Sequence, residues 1–354
     1  MNAAAVERIA KAVLYEGYML YPYRPSAVKN QQRFNFGVVY PQSYSEIQKG
    51  SDPWIMQTEC LMQGSAQTAL EVRLKFLQLT ARLVEERTTP AADGKSLSEA
   101  GFAPVKSLEV DGRKFYAWEE AVEREVAVPP TMLGELIQQP QQRPISFSFS
   151  KAYETLRDHN GAVAGRLARA RQAIDGAIYV GAHPVVEGIY KIVVRVINVT
   201  PLDFPEFAGR KDALMRSLIS AHVILGAVGG EFVSLLDPPE ELREMTALCS
   251  NTGVFPVLVG EEGQRDTVLA SPIILYDYPQ IAPESAGDLF DGTEIDEILS
   301  LRILTMTDEE KLEMRQSDDR TRQLLESIET LPTEHLMKLH GVLRGLRHVE
   351  GESQ

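Results

Sequence analysis

Six histidines, two cysteines and one dense acidic box are the first places to look for chemistry in this chain. The histidines are His159, His183, His222, His335, His340 and His348. None belongs to a His-Glu-x-x-His pair, in which two zinc ligands sit four apart on one helix face. His335 and His340 are five apart, which misaligns them on a helix. Cys60 and Cys249 are distant in sequence and neither lies in a Cys-x-x-Cys. That excludes a disulfide framework, and a cysteine-rich zinc or iron–sulfur site within this chain alone. A metal held by His222 with Cys249 would have to be assembled by the fold.

The acidic box comprises Asp288, Asp291, Glu294, Asp296 and Glu297. Clustered carboxylates suit calcium or magnesium, but the spacing lacks the alternate positions of a calcium loop. Thr293 with Asp296, and Thr307 with Glu310, instead match the capping box that opens a helix, and Thr333 is a third cap candidate. The acids therefore read as helix punctuation. Gly226, Gly229 and Gly230 follow a stretch read as a helix and precede a strand, the reverse of a phosphate-binding loop, and no Lys-Ser/Thr follows. Ser234 and Ser271 lie beside strands with no Gly-x-Ser-x-Gly and no base in sequence reach. No catalytic set is complete, and no cofactor-binding or metal-binding residue is assigned.

Two segments carry partner-binding candidates. From Ser271 to Ser285, prolines 272, 279 and 283 disfavour helix and fix an extended path. Tyr276, Asp277 and Tyr278 decorate that path with two hydroxyls and a charge. A segment already ordered loses little entropy on binding, so it suits docking as well as structural linkage. Tyr18, Tyr21 and Tyr23, near Pro22 and Pro25, form the second candidate. Tyrosine pairs an apolar body with a polar tip, so this cluster either seals a sheet edge or faces a partner.

The elements that would position these residues are read from periodicity. Residues 3–16 predict a helix that Gly17 stops. Alternation predicts strands at 34–40, 54–62, 70–76, 115–128, 145–149, 177–180 and 189–199. Gly64 and Ser65 predict a hairpin between the second and third of these, and Pro129–Pro130 should end the 115–128 run. Gln138–Arg143 reads as a polar connector. The Ala-, Arg- and Leu-rich stretch 163–174 predicts a helix, as does 212–225. Short strands at 232–236, 254–259 and 268–276 and a helix at 240–248 follow. Helices at 294–303, 308–328 and 333–346 close the chain. The resulting expectation is an α+β protein. An N-terminal helix and Tyr/Pro-rich segment (1–29) leads into a mainly antiparallel, sandwich-like β region (30–205). A smaller α/β region (206–285) and a helical tail (286–354) follow. The last helix, with Leu336, Leu339, Val342, Leu343 and Leu346, is a candidate homo-oligomer interface.

Composition bounds the setting. The chain has 354 residues, 44% apolar and 24% charged, which suits a folded globular protein. Its formal net charge of −14 argues against nucleic acid or anionic membrane as a partner. No apolar run reaches eighteen residues and the N-terminus lacks the apolar core of a signal peptide, so a cytoplasmic location without a membrane span is expected.

Three strings carry a resemblance: SPIILYDYPQIAPESAGDLFDGTEIDEILSLRILTMTDEEK, EFVSLLDPPEEL and LYEGYMLYPYRPSAVKN. Together they make the chain resemble an uncharacterised bacterial family associated with gene clusters of nickel–iron hydrogenases. The resemblance implies an accessory role in assembling or maturing a metalloenzyme. It implies a protein partner such as a hydrogenase subunit or maturation factor, and it transfers no catalytic residue. The reading from sequence is thus a non-enzymatic, protein-binding accessory protein. A hydrolytic or metal-dependent enzyme assembled from distant residues, and a structural homo-oligomer, are the alternatives.

Overall fold

The computed structural model describes residues 3–15, 34, 36–49, 52–88, 101–280, 303, 306–315, 322, 325–326 and 329–330. Tyr18, Tyr21, Tyr23, the acidic box and the helix expected at 333–346 lie outside them, as do His335, His340 and His348.

The chain order opens with α1 (Ala3–Leu14), α2 (Gln42–Ile47), β1 (Ile55–Gln63), β2 (Ala69–Arg87), β3 (Phe102–Val105), β4 (Ser107–Val110), β5 (Arg113–Tyr116) and β6 (Trp118–Met132). It continues with α3 (Leu133–Gln138), β7 (Gln141–Phe147), β8 (Ser150–Arg157), β9 (Val163–Arg171), β10 (Ile174–Val186) and β11 (Ile189–Asn198). Then come α4 (Arg210–Leu214), β12 (Ile219–Val228), β13 (Glu231–Phe232), α5 (Arg243–Ala247), β14 (Phe255–Leu258), β15 (Thr267–Ser271) and α6 (Asp308–Arg315). Every strand pairing among the described residues is antiparallel. The architecture is therefore mostly antiparallel β.

One sheet has the order β13-β1-β11-β10-β7. A second runs β14-β15-β12-β2-β9-β8, with β6 and β3 also paired to β2, and β4 with β5 makes a small two-stranded sheet. The two larger sheets enclose one apolar core. Cys60, Met62, Ile192 and Val194 come from the first sheet. Leu70, Val72, Leu74 and Phe76 of β2 come from the second, with Val223 and Leu225 of β12. Strands from both 30–205 and 206–285 enter both sheets.

The long strand β2 organises the second sheet. Its even-numbered residues from Leu70 to Phe76 face the core, while Leu77 and Leu79 pack on the opposite side against Phe34, Tyr40, Tyr44 and Met215. Past Arg82 the strand leaves the main core and builds a smaller one, in which Val84 meets Val110, Leu156 and Leu167.

Several expectations from sequence need correction. Residues 54–62 and 70–76 are strands but not a hairpin: β1 pairs with β11 and β13, whereas β2 pairs with β12, β6, β9 and β3. The turn at Gly64–Thr68 carries the chain from one sheet to the other. Residues 163–171 are a strand, not a helix. Their helix-forming alanines and arginines are overridden because Leu167 fills the small core and both edges find partners, β2 and β8.

The helix expected at 212–225 shrinks to α4, and β12 takes the remainder. Ile219 to Ala227 are buried throughout. A strand covered on both faces shows no alternation, so its sequence resembles a buried helix. Among the described residues of 34–40, Val39 makes a single bridge, to Leu218. Pro129 and Pro130 do not end β6. They sit where the register with β2 shifts between Leu70 and Val72, a bulge that needs no proline N–H. The connector at 138–143 is partly strand, since β7 begins at Gln141, and β15 stops at Ser271, short of Tyr276.

Candidate functional site

The described residues place the strongest candidate at the proline-rich strap that follows β15. Ser271 turns the chain out of the sheet: its hydroxyl donates to the Ile273 carbonyl at 2.8 Å and accepts from the Ile273 N–H at 3.0 Å. The Ser271 side chain is buried and committed to this turn, so it offers no nucleophile.

Asp277 then clamps the strap. One carboxylate oxygen accepts from the Leu258 N–H of β14 at 2.7 Å, and the other accepts from the Ser234 hydroxyl at 2.5 Å. Ser234 in turn accepts from the N–H groups of Leu236 and Asp237, at 3.1 and 2.9 Å. The fold thus joins Ser234 to Asp277, residues 43 apart in sequence, as a turn cap. Tyr278 completes the clamp. Its N–H donates to the Leu258 carbonyl at 2.7 Å, its φ of 56° turns the chain, and its ring packs on the main core.

From Ser271 to Pro279 the side chains exposed to solvent are Ile274 and Tyr276. Ile274 is 74% exposed and Tyr276 86% exposed, with Leu236 half exposed beside the Ser234 cap. Of the three residues singled out from sequence, Asp277 and Tyr278 are therefore anchors and Tyr276 is the displayed side chain.

A cavity of about 340 Å³ opens at the foot of the strap. Pro272, Phe255, Phe36, Tyr40, Asp52 and Arg210 are among its walls. Pro272 packs so tightly on Gly37 that a Cβ there would come 2.5 Å from Pro272 Cγ; with φ at 50°, the position requires glycine. Arg210 lies 5.4 Å over the Tyr40 ring and 3.6 Å from Asp52. The Tyr40 hydroxyl is buried without a hydrogen-bond partner. Burial pushes its pKa far above the ordinary phenol value, outweighing the nearby Arg210, so it stays protonated. Sequence reading missed this cavity because 36–40 looked like a strand. The glycine at position 37, which takes a positive φ, was the only local signal.

The histidine and cysteine candidates go elsewhere. His222 is fully buried on β12, opposite Lys75 of β2. Its Nδ1 donates to the Ser220 carbonyl at 2.9 Å, which fixes the tautomer and leaves Nε2 without a partner. Burial lowers its pKa to about 4, so the ring is neutral. Cys249 packs with Met245 beside Leu61, and its thiol is pushed up to about 11 by burial and by Glu59. The two are bonded to different groups: Cys249 to the Met245 carbonyl, His222 to that of Ser220. Among the described residues no group of three or more His, Cys, Asp or Glu side chains could hold a metal ion. His159 is exposed and bonded to Asp111, which raises its pKa. Gly226 is inside β12 rather than at a helix end, and Gly229, with φ at 78°, turns the chain towards β13.

No family model, curated protein or solved structure matches this chain. Among the described residues no helix is long and apolar enough to cross a membrane.

Proposed function

We propose that this is a non-enzymatic accessory protein that docks another protein along the strap. One observation carries the reading. The strap's Ser271 and Asp277 are spent on fixing its path, Asp277 through Ser234 and Leu258, while Ile274 and Tyr276 face solvent. Aromatic and aliphatic side chains on a rigid path beside a cavity are what a partner's anchor residues meet at an energetic hot spot. The residues that could act as nucleophile or base support the same conclusion. Ser234 and Ser271 cap turns, Asp277 clamps, and His222 is a neutral core residue.

The resemblance to a family associated with nickel–iron hydrogenase gene clusters supports a partner that is a hydrogenase subunit or maturation factor. The experiment is co-purification of the tagged chain from a host expressing a nickel–iron hydrogenase operon, with mass spectrometry of what elutes. A hydrogenase subunit or maturation factor should be recovered with the parent chain and lost with Ile274→Ser/Tyr276→Ala. Recovery of neither, or equal recovery with the double variant, would sink the proposal.

A further inference from the structure

The inner face of β2 changes character halfway along. Leu70, Val72, Leu74 and Phe76 close the main core, but Gln78, Thr80 and Arg82 continue the same face as a polar belt between the two cores. Most of its charge is balanced. Arg82 pairs with Glu120 at 2.9 Å, and Arg169 bridges Glu120 at 2.8 Å and Glu154 at 2.7 Å. Two further arginines of the belt, Arg124 and Arg171, make no ion pair among the described residues.

Gln78 links the two strands that carry them. Gln78 is fully buried; its carbonyl oxygen accepts from Arg124 Nε at 2.8 Å, and its amide donates to the Gln172 carbonyl at 2.7 Å. That one side chain ties β6 to the chain leaving β9 directly after Arg171. The Arg124 guanidinium lies 4.6 Å over the Phe147 ring, which holds it flat. Arg171 Nε is buried with no acceptor. Burial first, and then the positive charge of Arg171, lower the pKa of Arg124.

Arginines without a carboxylate partner on strands joined by one buried glutamine are costly, and a buried donor without an acceptor adds to the cost. This is the more telling in a chain of net charge −14, where carboxylates are plentiful. We propose that Arg124 and Arg171 form a binding site for an oxyanion, the phosphate or carboxylate group of a small molecule. Guanidinium forks match either group with paired, charge-assisted hydrogen bonds. Gln78 and Phe147 would act as positioning residues that hold Arg124 in place.

Calorimetric titration of the full chain with inorganic phosphate and with succinate, at fixed ionic strength against chloride, tests this. One of the two should bind saturably. Affinity should fall by about tenfold or more in Arg124→Gln and Arg171→Gln, the loss expected of a charge-assisted hydrogen bond. Arg195→Gln, which alters an exposed arginine bound to Gln57, should bind as the parent does. Saturation by phosphate identifies a phosphorylated ligand, and saturation by succinate a carboxylate ligand. In chloride alone Arg171→Gln should melt no lower than the parent, because it removes a repulsion. Binding of neither anion, equal affinity in the variants, or a marked loss of thermal stability in Arg171→Gln would overturn the proposal.

Discussion

The two halves of β2 differ in what the same inward-facing periodicity encloses. From Leu70 to Phe76 every inward position is apolar and packs against the opposing sheet. From Gln78 to Arg82 the inward positions are polar, yet they are equally buried: Gln78 is fully covered and Arg82 is 6% exposed. Burial is therefore not the discriminator. In the first half it removes apolar area from water at roughly 25 cal/mol per Å². In the second each group must find a partner to offset its desolvation. The apolar half makes stability and tolerates no cavity. The polar half makes specific geometry and leaves two arginines with spare donors.

The comparison can be broken most forcefully at Phe76. Phe76→Ala empties the centre of the core, where the ring also meets Phe147 edge-on at 5.8 Å. Urea unfolding should show a loss of about 3–5 kcal/mol. A loss near zero would mean the two sheets do not share this core.

Acid attacks the outer face of the apolar half. His222 is held neutral with its pKa at about 4, whereas the unfolded chain protonates near the ordinary value of 6.5. Between those values the unfolded state binds one more proton than the folded state, so stability falls as pH falls. The slope is about 1.4 kcal/mol per pH unit across that window. His222→Gln should flatten the slope in denaturation curves at pH 7, 6 and 5; an unchanged slope would remove His222 as its source.

In the polar half, Gln78→Leu keeps the volume but strands Arg124 Nε and the Gln172 carbonyl. A loss of about 1–3 kcal/mol is expected in urea unfolding. A more stable variant would show that the belt needs no buried amide. The smallest effect belongs to the rim. Glu154 is more than half exposed, and Glu154→Gln should cost less than about 1 kcal/mol, diminishing with salt. A larger loss would extend the buried belt to the strand edge at β8.

Much of the β architecture was legible in the sequence where one face is solvated. The alternating runs expected at 70–76, 145–149 and 189–199 are strands for all or most of their length, with 145–149 stopping at Phe147 and 189–199 at Asn198. Legibility failed where both faces are covered or where propensity and context disagree. The uniformly buried β12 and the arginine- and alanine-rich β9 both read as helices. The strap was visible through its prolines, but the roles within it were not. Asp277 looked like a displayed charge until its two partners, from β14 and the Ser234 turn, were in place.

The sequence by itself determined that the chain is acidic, that it folds around many short amphipathic strands, and that 271–280 follows a proline-fixed path. Composition, period-two alternation and the fixed φ of proline are local properties, so they can be read residue by residue. Only the tertiary structure decided which strands are neighbours, which acid is an anchor, and that the buried Gln78 ties Arg124 to the chain beside Arg171. Those outcomes depend on pairings across tens to more than a hundred residues, where packing and hydrogen-bond satisfaction choose among contacts that local sequence leaves equivalent.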